Sequence, residues 1–279
     1  MPEEKNMPNI DELKKKALWV RKETLEIYKT TRDVRLASSL SPVEIFTALY
    51  YGKILRYDPK NPQWEGRDRF IISKPHGAIS LYPILADLGF FNKKELKRVA
   101  KNGSLLGGIP DPTVPGFETI NGALGHGLGV ACGIALGLKK KKSNSKIFVL
   151  SGDGELNEGA VWEAVMFASQ HRLNSLILIV DNNKISMLDF CKNIIDLAPL
   201  EEKFKVFKWK VKVVDGHNIK EVYKSLKELK AEKSDYPKVL IANTVKGKGV
   251  PELENDVLCH TRVLKENEII NAIKKLNEC

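Results

Sequence analysis

The chain has 279 residues, 43% of them hydrophobic and 29% charged. That composition suits one large or two small folded domains and excludes a disordered chain. Lys plus Arg number 45 against 35 Asp plus Glu, a formal net charge of +10. The excess sits in short scattered clusters such as Lys14 to Lys16 and Lys139 to Lys142. This reads as a solvated surface rather than a nucleic-acid groove.

The elements follow in chain order. Met1 to Lys5 is too polar for a secretory leader. Asn9 with Glu12 predicts a capped helix reaching Tyr28. Ser41-Pro42-Val43-Glu44 predicts another start, with Ser41 as the cap and Pro42 in the first turn, running to about Leu55. Residues 56–75 read as loop, helices follow at 77–89 and 93–100, and 102–118 is a long Gly/Pro-rich loop.

Ile120 to Leu138 carries no formal charge and is followed by four lysines. Gly125, Gly129, Gly133 and Gly137 recur every fourth residue, as on a membrane dimerisation face. Asn121, His126 and the shortage of Leu and Phe favour a buried soluble helix instead, its glycines admitting a close backbone neighbour.

Strands at 147–150, 176–180, 211–214 and 238–243 then alternate with helices at 156–170 and 218–229, before a terminal helix from about 265. The alternation predicts a single α/β domain over 1–279, a mostly parallel sheet with helices on both faces. Four cysteines, Cys132, Cys191, Cys259 and Cys279, stand far apart without a CxxC pair. They suggest neither a zinc site nor a disulfide framework, and a reducing, cytoplasmic location.

Asp153 and Asn183 both end strands, with one helix between them. A helix of about 15 residues advances about 22 Å, and a strand of about seven returns about 23 Å. The two residues therefore reach the same sheet edge, the carboxyl ends of neighbouring parallel strands, where such sheets bind ligands. A carboxylate and an amide oxygen there are hard ligands for Mg²⁺ or Ca²⁺. Gly152 and Gly154 permit a tight turn and close approach of phosphate to backbone N–H groups.

The run Gly152-Asp153-Gly154-Glu155-Leu156-Asn157-Glu158-Gly159, with Trp162-Glu163-Ala164 and Asp181-Asn182-Asn183-Lys184-Ile185, resembles the thiamine diphosphate motif in its transketolase form. Tyr57 to Pro62, Arg67 to Phe70, Ser73 to His76, Gly122 to Gly127, Thr244 to Gly249 and His260 extend the resemblance over about residues 10–275. It implies a thiamine diphosphate-binding fold of the diphosphate-binding type. Asp153, Asn183 and the Ile185 main-chain oxygen would hold Mg²⁺, with Ca²⁺ or Mn²⁺ as substitutes. His76, Gly122, Leu124, Gly154, Glu155, Glu158 and Asn183 would line the cofactor, joined by Ile109 from the long loop. Asn182 would only shape its turn, while Glu158 and Glu163 also fit an interface or a buried network. His76, His260 and Arg35 would face the reacting centre.

In the family, a glutamate of a second, pyrimidine-binding domain acts on the cofactor. The chain leaves no room for that domain, so the resemblance implies a partner chain carrying it, an α₂β₂ assembly, and a transferase inactive alone. Two departures stand out. Arg35 occupies the place of a family histidine in Val34-Arg35-Leu36, and Ile109 replaces another in Gly108-Ile109-Pro110. Ile cannot hydrogen-bond a sugar hydroxyl, and an apolar side chain prefers a methyl. The transferred unit is thus either a two-carbon ketol or an acetyl-like group from pyruvate or another 2-oxo acid. Arg35 would fork onto a carboxylate or phosphate. The alpha chain of a 2-oxo-acid dehydrogenase and a non-catalytic cofactor-binding paralogue are the other readings.

Overall fold

Five parallel strands form the sheet; the three central ones are buried on both faces and read as nearly continuous apolar runs, while the last edge strand, with its Lys-Val alternation, is largely exposed. The five are β1 (Arg69–Ile72), β2 (Ile147–Gly152), β3 (Leu176–Asn182), β4 (Lys210–Asp215) and β5 (Lys238–Asn243), in the order β1-β2-β3-β5-β4. The computed structural model describes residues 8–278; Met1 to Lys5 and Cys279 lie outside the described residues.

Alternate side chains serve opposite faces. Phe148, Leu150, Ile177, Ile179 and Leu240 pack under α1 (Ile10–Thr30), α2 (Leu36–Leu40), α3 (Val43–Tyr50) and α4 (Leu81–Leu88). Ile147, Val149, Leu176, Leu178, Val180 and Val239 pack under α5 (His126–Lys140) and α6 (Gly159–Gln170). The chain is completed by α7 (Cys191–Ile194), α8 (Leu200–Val206), α9 (Ile219–Ala231) and α10 (Glu266–Glu278). The expected parallel sheet with helices on both faces is present.

Several local expectations are corrected. The stretch read as loop contains β1; its apolar run, Phe70-Ile71-Ile72, is short and hidden among turn residues, and it pairs only with β2. Asn9 caps α1 as expected, accepting from the Asp11 and Glu12 amides. Ser41 does not cap α3: its hydroxyl donates 2.6 Å to the buried Asp181 carboxylate, and Pro42 takes the cap position. A carboxylate without water commands that donor more strongly than a helix end does. The segment after Asn92 is a 3-10 turn, Lys93–Arg98. Another 3-10 turn, Gly154–Asn157, precedes α6.

The glycine stripe is the largest correction. Helix α5 buries Leu128, Ala131, Cys132 and Ala135 against the sheet. Gly129, Gly133 and Gly137 face outward, with nothing within 4 Å of where a side chain would start. Gly125 and Gly127 are the close-approach glycines of this stretch, their missing side chains making room for Glu158 and Ser73. No described helix is long and apolar enough to cross a membrane.

One charged cluster anchors the loop after β5. The Arg21 guanidinium forks onto Glu44, with contacts of 2.6 and 2.7 Å. His217 Nε2 accepts the Val245 amide at 2.8 Å, so its proton sits on Nδ1 and is donated to Glu44 at 3.1 Å. Arg21 also donates to the Lys248 carbonyl at 3.2 Å. Residues 244–249 are thereby pinned to α1 and α3.

Burial works to raise the Glu44 pKa, but the Arg21 charge and the hydrogen bonds from His217 and Arg21 outweigh it and hold the carboxyl at about 2. The stability this contributes is present above the ordinary glutamate range and is lost as pH falls through about 2. Glu44→Gln should therefore flatten the acid limb of a melting-temperature-against-pH curve; an unchanged limb would contradict this reading. Phe148 is fully buried in β2. Phe148→Ala should cost about 3–5 kcal/mol in urea unfolding.

Candidate functional site

Pairing of β2 with β3 sets Gly152 opposite Asp181. Asp153 and the Asn182-Asn183 pair therefore leave adjacent strands side by side at the carboxyl edge, as the spacing predicted. Between them opens a cavity of about 310 Å³, lined by Asp153, Asn183, Ile185, Gly122, Leu124, Gly152, Gly154, Glu155 and His76. Ser38, Lys74, Lys246 and His260 complete its polar wall.

The donor set fits a hard cation. Asp153 accepts the Gly154 amide at 2.8 Å and also the Lys184 amide. Burial, and then the neighbouring Asp181 charge, push its pKa up to about 6. A divalent cation there would remove that penalty. Asn183 Oδ1 accepts the Ile185 amide at 3.2 Å. The Ile185 carbonyl accepts from Lys246 Nζ at 3.0 Å and keeps a second lone pair. No described cluster of three His, Cys, Asp or Glu could hold a metal; the expected set contains only one such side chain. Asn182 turns away to donate 2.8 Å to Asn243 Oδ1, in keeping with a turn-shaping role.

Beneath the cavity lies a buried ion pair absent from the sequence reading. Lys74 Nζ meets the fully buried Asp181 carboxylate, which also takes the Ser41 and Thr244 hydroxyls. Lys74 Nζ further donates to the Ser38 carbonyl at 3.1 Å. Lys74, Lys246, Ser38 and Asp181 thus join the site. A charged residue ending an otherwise apolar strand, as Asp181 does, was the available signal.

Glu155 is committed elsewhere. It takes the hydroxyls of Ser73 and Ser151 and the amides of Gly125 (2.9 Å) and Gly152 (3.1 Å). Its carboxylate ties the glycine-rich segment to β2, and its carbonyl accepts the Glu158 amide at 3.0 Å. Glu158 is exposed beside Gly125 and does not line the cavity, contrary to its sequence assignment. It starts α6 on the face left open next to the outward glycines. Ile109 also lies off the cavity wall, half-buried, with its side chain toward Gly122. The backbone around it is held by the Tyr82 hydroxyl, which bonds the Gly107 carbonyl at 2.9 Å.

His76 and His260 meet edge to edge: Nδ1 of His76 is 3.1 Å from Nε2 of His260. Burial, then the charges of Lys246, the His76 ring, Arg35 and Lys74, hold His260 down to about 3. Burial, then Arg35, Lys74 and Lys246, lower His76 as well. Both rings are therefore neutral at physiological pH. The Arg35 guanidinium has no hydrogen bond or ion pair among the described residues. A larger cavity, about 570 Å³, lies on the other side of Asp153 under Cys191 to Leu200; no histidine lines it.

A Gly-Asp-Gly turn and an Asn-Asn turn on neighbouring parallel strands, opening on a cavity walled by lysine and histidine, mark a thiamine diphosphate-binding domain. Comparison with known proteins narrows this: residues 36–277 match the family model "Transketolase, thiamine diphosphate binding domain". The chain belongs to the transketolase family, and the reading as a dehydrogenase alpha chain gives way. It is 38% identical over 270 residues to one of the apulose-4-phosphate transketolase subunits of Actinobacillus succinogenes, covering 96% of this chain and 97% of that one. It is 35% identical to the 6-deoxy-6-sulfo-D-fructose transketolase subunit SqwG of a Clostridium species, covering 96% and 97%. A crystal structure of Campylobacter jejuni transketolase superposes with a TM-score of 0.90 at 30% identity, covering 97% of this chain but only 43% of that one. The chain thus spans under half the length of that solved transketolase.

Asp153→Ala should weaken magnesium-dependent thiamine diphosphate binding by about 100-fold, the loss expected for a charged contact of about 3 kcal/mol. Calorimetric titration of both proteins, with and without EDTA, reads this directly.

Proposed function

We propose that this chain is the diphosphate-binding subunit of a two-chain transketolase that moves a two-carbon ketol unit between sugar-type substrates. One observation carries the reading: the acids lining the cavity are Asp153 and Glu155, and Glu155 is consumed by its own donors. The cavity has a metal-and-diphosphate end but no free glutamate for the cofactor's pyrimidine. A partner carrying the pyrimidine-binding domain supplies it. The match to relatives named as subunits, over nearly their whole length, supports the same division.

Within this reading Asp153, Asn183 and the Ile185 carbonyl hold Mg²⁺. Gly154 and Lys246 face the diphosphate, and Gly122 and Leu124 the rings. Bound thiamine diphosphate supplies a carbon nucleophile and an electron sink. The chain's own residues anchor it, exclude water and hold protons at the histidines. Leu124 is 41% exposed and Met187 52% at the cavity mouth. These, with Val130, Met166 and Phe167 on α5 and α6, form the apolar face for assembly, in an α₂β₂ arrangement.

Arg35, unpaired beside both histidines, is assigned to an anionic substituent of the substrate. The relatives are named for sugars bearing a phosphate and a sulfonate. The same arginine, with Ile109 in place of a polar side chain, favours one alternative: a 2-oxo acid donor delivering an acetyl-like unit.

The assay mixes both purified chains with Mg²⁺ and thiamine diphosphate. Turnover of xylulose 5-phosphate is expected only when both chains are present. Turnover of pyruvate in its place would overturn ketol transfer, and activity of this chain alone would overturn the split site. Arg35→Met should raise KM for the anionic substrate about tenfold, the loss of one charge-assisted contact of roughly 1.4 kcal/mol. Cofactor affinity should not change.

A further inference from the structure

Ser38 and Ser39 are neighbours on the short helix α2, and each reaches a different part of the histidine pair. Ser39 Oγ donates to the His76 carbonyl at 2.8 Å, fixing the backbone of that residue. Ser38 Oγ lies 3.1 Å from His260 Nδ1. His260 Nε2 lies 3.1 Å from His76 Nδ1. The contacts form an unbroken line from the Ser38 hydroxyl through two imidazoles to the remaining nitrogen of His76, Nε2. All three residues line the cavity.

Two neutral imidazoles facing each other can share only one proton along their common edge. Two complete arrangements satisfy every contact. In the first, the Ser38 hydroxyl donates to His260 Nδ1, His260 Nε2–H donates to His76 Nδ1, and His76 carries its proton on Nε2. In the second, all three directions reverse: His76 Nδ1–H donates to His260 Nε2, His260 Nδ1–H donates to Ser38 Oγ, and His76 Nε2 is bare. The hydroxyl is what permits both, because it alone in the line both donates and accepts by turning about one bond.

We infer that Ser38 is a positioning residue that lets His76 act as proton donor at one step of the transfer and as acceptor at another without either ring becoming charged. The inference rests on the transketolase reading above. When a substrate oxyanion takes the proton of His76 Nε2, the His260 Nε2 proton passes to His76 Nδ1. The Ser38 proton then passes to His260 Nδ1, and Ser38 Oγ takes a proton from water in the cavity. One proton has moved from solvent to substrate, the negative charge has moved to solvent, and both rings end neutral. The reverse sequence removes a proton from a substrate hydroxyl. The cations Arg35, Lys74 and Lys246 around the pair favour this uncharged route over one through an imidazolium.

The test uses the assembled enzyme, both chains with Mg²⁺ and thiamine diphosphate, and xylulose 5-phosphate as donor. Ser38→Ala should lower kcat about tenfold, less than the roughly 10²–10⁴ lost with a general acid–base residue itself. KM and cofactor affinity should stay within about twofold. The solvent deuterium isotope effect on kcat should rise, and Ser38→Thr, which keeps the hydroxyl, should restore the rate. An unchanged kcat in Ser38→Ala would overturn the relay. So would a loss shared by cofactor affinity and thermal stability that Ser38→Thr does not repair. A second measurement needs no turnover. Ring ¹⁵N shifts of His260 should report averaging between two tautomers in the native chain and one fixed tautomer in Ser38→Ala. An inactive native assembly would overturn the functional reading, while the nitrogen shifts would still decide the relay.

Discussion

A lysine ammonium buried against an aspartate carboxylate organises the rest of the site. Asp181 ends β3 with no exposure to water, and an unpaired carboxylate there would be costly. It draws Lys74 from the end of β1, Ser41 from the junction of α2 and α3, and Thr244 from the end of β5. One carboxylate thus gathers elements far apart in the chain. Burial alone would raise the pKa of Asp181; the Lys74 charge and the donated hydrogen bonds outweigh it and hold the group ionised. Removing one partner of such a pair typically costs about 3–5 kcal/mol, because the other charge stays buried.

Asp153 stands in contrast to Asp181. Asp153 and Asp181 are close enough to repel, and only Asp181 has a lysine ammonium in contact. The internal charge is neutralised within the chain, while the outer one, Asp153, is left costly to ionise. The two carboxylates thus sit in opposite environments, one matched by a buried cation and the other not. The second buried cluster, Arg21–Glu44–His217, does related work at a distance. It grips the main chain at Val245 and Lys248, and Lys246 between them turns its ammonium to the Ile185 carbonyl.

The face of α5 and α6 away from the sheet is open. Helix α5 satisfies its apolar residues on the sheet and leaves Gly129, Gly133 and Gly137 outward, so the surface beside the cofactor cavity is apolar in part and uncovered. Exposed glutamates, Glu158 and Glu163, stand on this face rather than in the cavity. Residue type and spacing could not distinguish a glycine that faces a neighbouring backbone from one that faces out, since both need only the absence of a side chain.

The sequence by itself determined the alternation of strands and helices and the meeting of Asp153 with Asn183. Both follow from local periodicity and the rise per residue of helix and strand. It also carried enough motif to name the family. It did not reveal β1, whose three apolar residues are too few to show a period, nor the role of Ser41, which reads locally as a helix cap. The tertiary structure alone decided which charges are buried together, that Glu155 is used up by the glycine-rich segment, and that Ser38, His260 and His76 stand in line. Those contacts join residues 30 to 222 positions apart. Long-range pairing of polar groups is set by which of them lose water in the folded core, and no local pattern records that.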